Sequence, residues 1–356
     1  MKHRRRDTVA VKVGKVTVGG SAAVSVQSMA RVPSAHLDAL RAQVRGMISA
    51  GAELVRIAVR TKDEARAIPA LKTTFDVPII ADIHYRGALA LESIRQGADK
   101  VRINPGNMSR QDMQKVIAAA RDARVAVRIG VNSGSVDIRG TLAASMVRAA
   151  RDAISLCEDS GFRSLVISVK TPDVATNSEC YRRLAEICPY PFHLGITEAG
   201  KGMMAEAKSV MGIGCLLREG IGDTVRVSLT AGPRREILLA RAILQAAGLR
   251  RFEPEVISCP TCGRTRVDVA GVRDRVQRRL RSLARRDSRL SRLTVAVMGC
   301  SVNGPGEARQ ADVGIAGGEG KFALFRKGTI MGTYPEDEIV DILLEEIQRM
   351  VETGEE

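Results

Sequence analysis

Val101-Arg102-Ile103-Asn104-Pro105-Gly106-Asn107, a stretch of helical spacing over 113–120, and Val127-Arg128-Ile129-Gly130-Val131-Asn132 make one strand–helix–strand unit. A connection of this length between two such strands demands parallel pairing through a right-handed crossover. The unit repeats. Short apolar, β-rich runs fall at 24–29, 55–59, 79–83, 100–104, 125–131, 164–170, 192–197 and 224–229. Helically spaced segments lie between them, as in Leu37, Leu40, Val44, Met47 and Ile48. Eight units in roughly 250 residues match a closed β/α barrel of the TIM type. An open doubly wound sheet fits less well. It needs a glycine-rich phosphate turn after its first strand, where this chain has Ala30-Arg31-Val32-Pro33.

A barrel of this kind places its chemistry at the C-terminal ends of its strands. The polar residues expected there are Gln27-Ser28, Arg56, Asp82 with His84, Arg102 with Asn104, Arg128 with Asn132, Lys170, Glu198, and Arg226 with Ser228. Arg56, Arg102, Arg128 and Arg226 each stand between Val or Ile residues. Helices cover the outside of a parallel barrel, so these guanidinium groups are expected to face the lumen, where an unpaired charge is costly. Salt bridges to Asp82 or Glu198 are the plainer explanation. Four cations against so few acids leave a surplus, however, and a diphosphate gripped by guanidinium forks accounts for it better.

With 55 Lys+Arg against 40 Asp+Glu the formal net charge is +15, which suits nucleic acid, an anionic membrane or a small polyanion. Aromatic residues make up only 3% and Trp is absent, which argues against a surface that stacks bases. The densest basic run, 273–292, carries Val272, Val276, Leu280 and Leu283 at helical spacing. It reads as the solvated face of an amphipathic helix rather than a nucleic-acid arm. No apolar run approaches the ~20 residues of a membrane span. The basic start is followed by Asp7 and polar sequence rather than the apolar stretch of a signal peptide, so the expected location is cytoplasmic.

After Gly248 the composition changes, giving an expected boundary between a barrel of residues 1–249 and a second domain of 250–356. The second domain reads as a small α+β unit with strands at 256–258, 294–298, 313–316 and 323–326, the basic helix, and a helix over 336–351. The seven cysteines form no regular disulfide framework. Cys157, Cys180, Cys188 and Cys215 are expected to fill core. Cys259-Pro260-Thr261-Cys262 is a CxxC motif, and Cys300 follows in Val297-Met298-Gly299-Cys300-Ser301-Val302-Asn303-Gly304-Pro305-Gly306-Glu307. Three thiolates are one short of a closed zinc site, so spacing alone leaves open an iron–sulfur cluster, zinc or a redox dithiol.

Several of these stretches together resemble the 4-hydroxy-3-methylbut-2-en-1-yl diphosphate synthase family. They are Val26-Gln27-Ser28-Met29, Ala81-Asp82-Ile83-His84, the two Arg strands quoted first, His193-Leu194-Gly195-Ile196-Thr197-Glu198-Ala199-Gly200, Glu219-Gly220-Ile221-Gly222-Asp223-Thr224 and both Cys segments. The resemblance implies a barrel followed by a cluster domain similar to that of sulfite and nitrite reductases. It also implies a [4Fe–4S] cluster on Cys259, Cys262, Cys300 and Glu307. The implied reaction is the reductive ring opening and dehydration of 2-C-methyl-D-erythritol 2,4-cyclodiphosphate in isoprenoid precursor synthesis. Arg56, Arg102, Arg128 and Arg226 would grip the phosphates, and Asp82, His84, Asn104, Asn132 and Lys170 would complete the mouth. Glu198 would be the general acid, and Asn303 would reach the substrate from the cluster loop. The resemblance further implies a flavodoxin or ferredoxin as electron donor and a homodimer in which one chain's cluster domain caps its neighbour's barrel. The alternative is a diverged iron–sulfur reductase acting on another phosphorylated small molecule. Three segments depart from the family: Ala30-Arg31-Val32 replaces a Thr-rich triplet, Met204 stands where a Lys is usual, and the stretch after Ser135 is shorter.

Overall fold

The computed structural model describes residues 5–300, 306, 308–318 and 320–354. Asn303 and Glu307 lie outside the described residues. The chain divides into two compact units, Met1–Arg250 and Arg251–Glu356.

The first unit opens with a hairpin, β1 (Val11–Val13) and β2 (Val16–Val18). Eight parallel strands follow: β3 (Ser25–Met29), β4 (Leu54–Ala58), β5 (Ile79–Asp82), β6 (Lys100–Ile103), β7 (Ala126–Asn132), β8 (Leu165–Lys170), β9 (His193–Leu194) and β10 (Thr224–Val225). They pair in the order β8-β7-β6-β5-β4-β3-β10-β9, and the bridge between Ile167 and Phe192 closes the ring. The main covering helices are α1 (Leu37–Ala50), α4 (Gly87–Arg95), α5 (Arg110–Asp122), α6 (Leu142–Asp159), α7 (Val174–Ile187), α8 (Gly202–Arg218) and α9 (Pro233–Ala246), with two short helices, α2 (Lys62–Ala65) and α3 (Ala67–Lys72), after β4. Local sequence starts several of them. Ser109, Thr141 and Asp173 each accept a hydrogen bond from the backbone N–H three residues on, at 3.1, 3.2 and 2.7 Å, which satisfies a donor the helix cannot.

β9 and β10 are shorter than the apolar runs led one to expect. Beyond them the ladder thins to single bonds, such as Arg226 N to Leu194 O at 3.0 Å, as the chain diverges towards the mouth. The hairpin was not legible as such. Its Val11, Val13 and Val18 pack on Leu54, Ile80, Ala126 and Val166 and plug the N-terminal end of the lumen. A second expectation fails at Cys215, which is exposed on α8 while Cys157, Cys180 and Cys188 are buried. Apolar spacing places a residue near the inner face, but Cys215 lies just off it.

Followed round the ring, the strand registers accumulate the eight-residue stagger of a standard closed barrel. Inward side chains therefore fall in layers of four taken from alternate strands. Ser25 and Ala126 stand at the base, and the lowest full layer above them is Leu54, Lys100, Val166 and Thr224. Above it come Gln27, Ile80, Arg128 and His193, then Arg56, Arg102, Ser168 and Arg226. The next layer is Met29, Asp82, Gly130 and Gly195, with Asn104 and Lys170 higher still. Hydrophobic side chains normally fill such layers; here polar ones dominate.

The second unit is a five-stranded sheet: β11 (Glu255–Ser258), β12 (Thr294–Met298), β13 (Val313–Gly317), β14 (Lys321–Arg326) and β15 (Thr329–Pro335), in that order. The first three are parallel and the last two antiparallel. α10 (Val269–Ala284) and α11 (Ile339–Thr353) cover one face, burying Val272, Val276, Leu280, Leu343 and Ile347 against Val295, Val297, Ile315 and Phe322. The basic run is thus the outer face of α10, as its spacing implied, and Arg279 and Arg281 pair with Asp341 and Glu253. β15 was not expected. It is an edge strand whose Thr329, Ile330 and Met331 are exposed, so pairing after the Lys327-Gly328 turn makes it, not a buried face.

Candidate active site

The arginines singled out in the sequence converge inside the barrel. Arg56, Arg102 and Arg128 are 8%, 4% and 2% exposed, and the side chain of Arg226 is 15% exposed. Asp82 stands among them. Arg56 Nε lies 3.9 Å from its Oδ2, Arg102 Nη1 3.5 Å from its Oδ1, and His84 Nε2 3.3 Å from its Oδ2. Burial alone would raise the Asp82 carboxyl, but Arg56, the His84 hydrogen bond, Arg102 and Arg128 carry it well below the usual carboxylate range. Asp82 stays ionised and serves three cations at once.

The remaining partners are mostly neutral. Arg102 Nη2 donates to the Gly130 carbonyl at 3.1 Å, Arg128 Nη1 donates to Ser168 Oγ, and Arg56 Nη2 lies 3.0 Å from Met29 Sδ. Arg102 Nε, Arg226 Nε and both Nε and Nη2 of Arg128 are buried without a hydrogen-bond partner among the described residues. Burial, then repulsion from Arg128, Arg226, Arg56 and Arg102, pushes the Lys170 ammonium well below its ordinary value. Burial, Arg56 and Arg31 pull Arg226 down to about 10 against the opposing effect of Glu236 and Asp82. Guanidinium groups do not deprotonate in proteins, so the same burial and repulsion on Arg102 and Arg128 amount to a demand for an anion.

Salt bridging to Glu198 does not supply it. Glu198 is exposed at the rim, with φ +53°, a left-handed conformation that non-glycine residues seldom adopt. It lines an open cleft of about 260 Å³ with Arg31, Arg226, Ser228 and Glu236. The acid near Arg226 is instead Glu236 on α9, at 3.9 Å, and Glu236 is already held by Arg31 Nη2 at 2.8 Å and Leu229 N at 2.9 Å. The departure at Arg31 therefore has a structural consequence. It holds Glu236 Oε1, while Oε2 faces Arg226 without a hydrogen bond among the described residues. A larger opening of about 360 Å³ lies at the other end of the barrel, around Gly14, Lys15, Lys72 and Asp99. Its Lys15 and Lys72 are paired with Asp76 and Asp99.

Two glycines make room for the cationic heads. A Cβ on Gly130 would lie 2.5 Å from Arg102 Nε, and one on Gly195 would lie 2.5 Å from both Lys170 Nζ and the Arg226 carbonyl oxygen. Gly195→Ala should raise the KM for a diphosphate substrate about tenfold, since an ammonium or a strand must shift. Gly46→Ala, with no atom within 4 Å of its Cβ, should leave KM unchanged. Steady-state kinetics on the two variants checks this. Asn104 is committed locally: Nδ2 donates to Ser135 Oγ at 3.0 Å and Oδ1 accepts from Gly106 N at 3.2 Å. The short loop after Asn132 thus folds onto the turn after β6. Asn132 is half-buried beside it, its carbonyl accepting from Ser135 Oγ at 2.9 Å. Met204 and Lys201 are exposed at the start of α8.

Sequence reasoning missed Lys100, His193 and Glu236 as site residues. Alternation held a signal for two of them: Lys100 shares a face with Arg102, and His193 with Gly195.

In the second unit, Cys259 follows β11 and Cys300 follows β12, and these strands pair in parallel. Gly299 N donates to Cys259 Sγ at 3.2 Å, so the end of β12 already addresses that sulfur. Cys262 is exposed, and the backbone N–H and side chain of Arg264, with Thr265, lower its thiol below the usual value. Among the described residues no three metal-ligating side chains cluster tightly enough for a single ion. An iron–sulfur cubane binds each thiolate to a different iron, and an exposed Cys262 with a lowered thiol, following Cys259 at a strand end beside that of Cys300, fits that donor set.

Residues 8–241 match the family description "GcpE TIM-barrel domain" and 255–349 match "GcpE protein C-terminal domain". The chain belongs to the GcpE family. Its relatives include proteins of Dehalococcoides mccartyi, 43% identical over 96% of this chain and 98% of the relative, and of Salinispora tropica, 45% identical over 98% and 90%. A third, from Ruminiclostridium cellulolyticum, is 41% identical over 98% and 99%. All three are named 4-hydroxy-3-methylbut-2-en-1-yl diphosphate synthase (flavodoxin). The GcpE barrel also superposes on the dihydropteroate synthase of Yersinia pestis, with TM-score 0.52 and 17% identity over 67% of this chain and 97% of that one. That likeness is one of fold alone. No helix among the described residues is long and apolar enough to cross a membrane.

Proposed function

We propose that this GcpE-family chain opens 2-C-methyl-D-erythritol 2,4-cyclodiphosphate reductively and expels a hydroxyl, giving 4-hydroxy-3-methylbut-2-en-1-yl diphosphate for isoprenoid synthesis. One observation carries the reading: the lumen concentrates cations at the C-terminal ends of the strands with, among the described residues, a single inward acid on the strands, Asp82. A cyclic diphosphate supplies the missing negative charge. Arg56, Arg102, Arg128 and Arg226 bind its two phosphates, with Lys170 beside them. Because Asp82 is already ionised and shared, it aligns the arginine forks rather than moving protons. His84, hydrogen-bonded to Asp82, and Asn132 orient the sugar-derived carbons at the rim. Asn104 shapes the turn that carries them. Glu198, exposed at the cleft, donates the proton that lets the hydroxyl leave as water. Cys259, Cys262 and Cys300, with Glu307 as fourth ligand by its place in the motif, would hold a [4Fe–4S] cluster, which when bound supplies electrons and a Lewis-acidic iron. Asn303 is proposed to contact substrate from the same loop. A flavodoxin is the proposed electron donor and a homodimer the proposed assembly. A basic surface suits encounter with an acidic electron carrier.

Anaerobically purified protein should be brown, carry iron and sulfide, and convert the cyclodiphosphate with reduced flavodoxin or an artificial reductant. Colourless protein, or coloured protein that leaves the cyclodiphosphate intact, would sink the reading.

A further inference from the structure

Residues 264–292 hold eleven arginines and three aspartates, with no lysine or glutamate among them. The stretch begins two residues past Cys262 and continues along α10. The inward side of α10 is fully used, since Val269, Val272, Val276 and Leu280 lie in the core of the second unit. Its outward side is not. Arg279 pairs with Asp341, Arg281 with Glu253 and Arg273 with Asp274. Arg275, Arg278, Arg285 and Arg286 are exposed and make no ion pair among the described residues.

A face that needs only to be wet gains nothing from this pattern. Arg275 stands three residues before Arg278 and four before Arg279, and Arg281 stands four before Arg285. Like charges at those spacings destabilise a helix, whereas alternating acids and bases would stabilise it and keep it soluble. The excess is held at a cost that an oppositely charged partner offsets. An anionic membrane does not fit, because lying on lipid takes an apolar face, and that of α10 is buried in the core.

The place of the stripe selects the partner. The first residue of α10 packs on the residue before Cys300, where a Cβ on Gly299 would lie 2.9 Å from Val269 Cγ2. Arg266 N donates to the Gly299 carbonyl at 3.2 Å, and Asp268 caps the helix by accepting from Gly271 N at 2.9 Å. At a rise of about 1.5 Å per residue, Arg275 and Arg278 lie about 9 and 14 Å along the axis from Val269. The unpaired arginines thus run outward from the cysteine segments. We propose that Arg275, Arg278, Arg285 and Arg286 form the docking surface for an acidic flavodoxin, which seats its flavin beside those segments. This assignment rests on the reading above of a reductive enzyme supplied by flavodoxin. Complementary charge of this kind speeds the encounter and sets its orientation more than it adds affinity. The contact is small, below the ~1,200 Å² typical of weak redox encounters, which suits a carrier that must leave again.

Charge reversal on the intact holoprotein tests the surface. Arg275→Glu with Arg278→Glu should weaken binding of oxidised flavodoxin about tenfold at low ionic strength, read by calorimetry, and raise the KM for reduced flavodoxin alike. Arg285→Glu with Arg286→Glu should act in the same direction and gives a second, independent reading. Turnover driven by photoreduced 5-deazariboflavin, an uncharged reductant, should match the wild type in both. Lys12→Glu with Lys115→Glu makes the same change in net charge at exposed positions of the barrel and should leave flavodoxin binding near the wild-type value. Wild-type binding should weaken steeply as salt rises, and the stripe variants should lose most of that dependence. Equal flavodoxin binding by stripe and barrel variants, wild-type binding indifferent to salt, or a stripe variant that loses only retention on duplex DNA overturns the proposal. Oxidised flavodoxin binds without turnover, so the docking measurement stands apart from the proposed reaction, and a failure of docking leaves deazaflavin-driven turnover intact.

Discussion

Arg226→Met should lower kcat/KM by about three orders of magnitude while leaving the melting temperature of the substrate-free protein unchanged or higher. Truncating one partner of a buried, hydrogen-bonded charge pair costs about 2–5 kcal/mol, and 4 kcal/mol is nearly a thousandfold. In the substrate-free protein the balance runs the other way. Arg226 is buried, repelled by Arg56, and 3.9 Å from a Glu236 that Arg31 already holds at 2.8 Å. Removing it relieves repulsion, and Arg31 and the Leu229 N–H still hold Glu236 through Oε1. Arg226→Lys should recover only part of the rate, since an ammonium lacks the planar fork that matches phosphate. Anaerobic kinetics beside calorimetry reads both effects. If the Met variant melts well below the wild type, Arg226 is a structural ion-pair member and its assignment to phosphate binding is wrong.

Asp82→Asn should have the opposite profile, a loss of about 3–5 kcal/mol of stability, because it leaves Arg56, Arg102 and Arg128 without their common anion. For a domain of this size that lowers the melting temperature on the order of 10 °C. Inorganic pyrophosphate should restore more of the melting temperature in the variant than it adds to the wild type, since it replaces the missing charge. The pH dependence follows from the sign of the shift. The folded-state pKa of Asp82 is depressed below its unfolded value of about 3.9. Its contribution is therefore complete above that value and is lost only as the pH falls below about 4 towards the folded pKa. The wild type should show this acid limb and the Asn variant should lack it. Equal stability of the two proteins at pH 7 would mean that Asp82 is not the anion holding the arginines together.

Both predictions turn on side chains visible in sequence as Arg or Asp alternating with Val and Ile. That alternation was enough to count the strands, to infer parallel pairing, and to turn four arginines inward, because a strand's period of two and the helical cover leave them no other face. The two cysteine segments follow strands for a similar reason, and the parallel pairing of β11 and β12 brings the ends of those strands side by side.

Other features required the closed barrel. Periodicity tells which side of its own strand a residue occupies, not which residues of distant strands share a level. Only the eight-residue stagger of the ring sets Lys100 below Arg128 and His193, and Arg56 level with Arg102 and Arg226. Glu236 reaches the rim from α9 because helix packing brings it there, and nothing near Arg226 in sequence announced it. The hairpin of Val11–Val13 and Val16–Val18 looked like polar strand until its valines met Leu54, Ile80, Ala126 and Val166. Local alternation is written into each segment by sterics and burial. The levels, the surplus of charge at each level and the sealed base arise only when strands far apart in the chain close on one another.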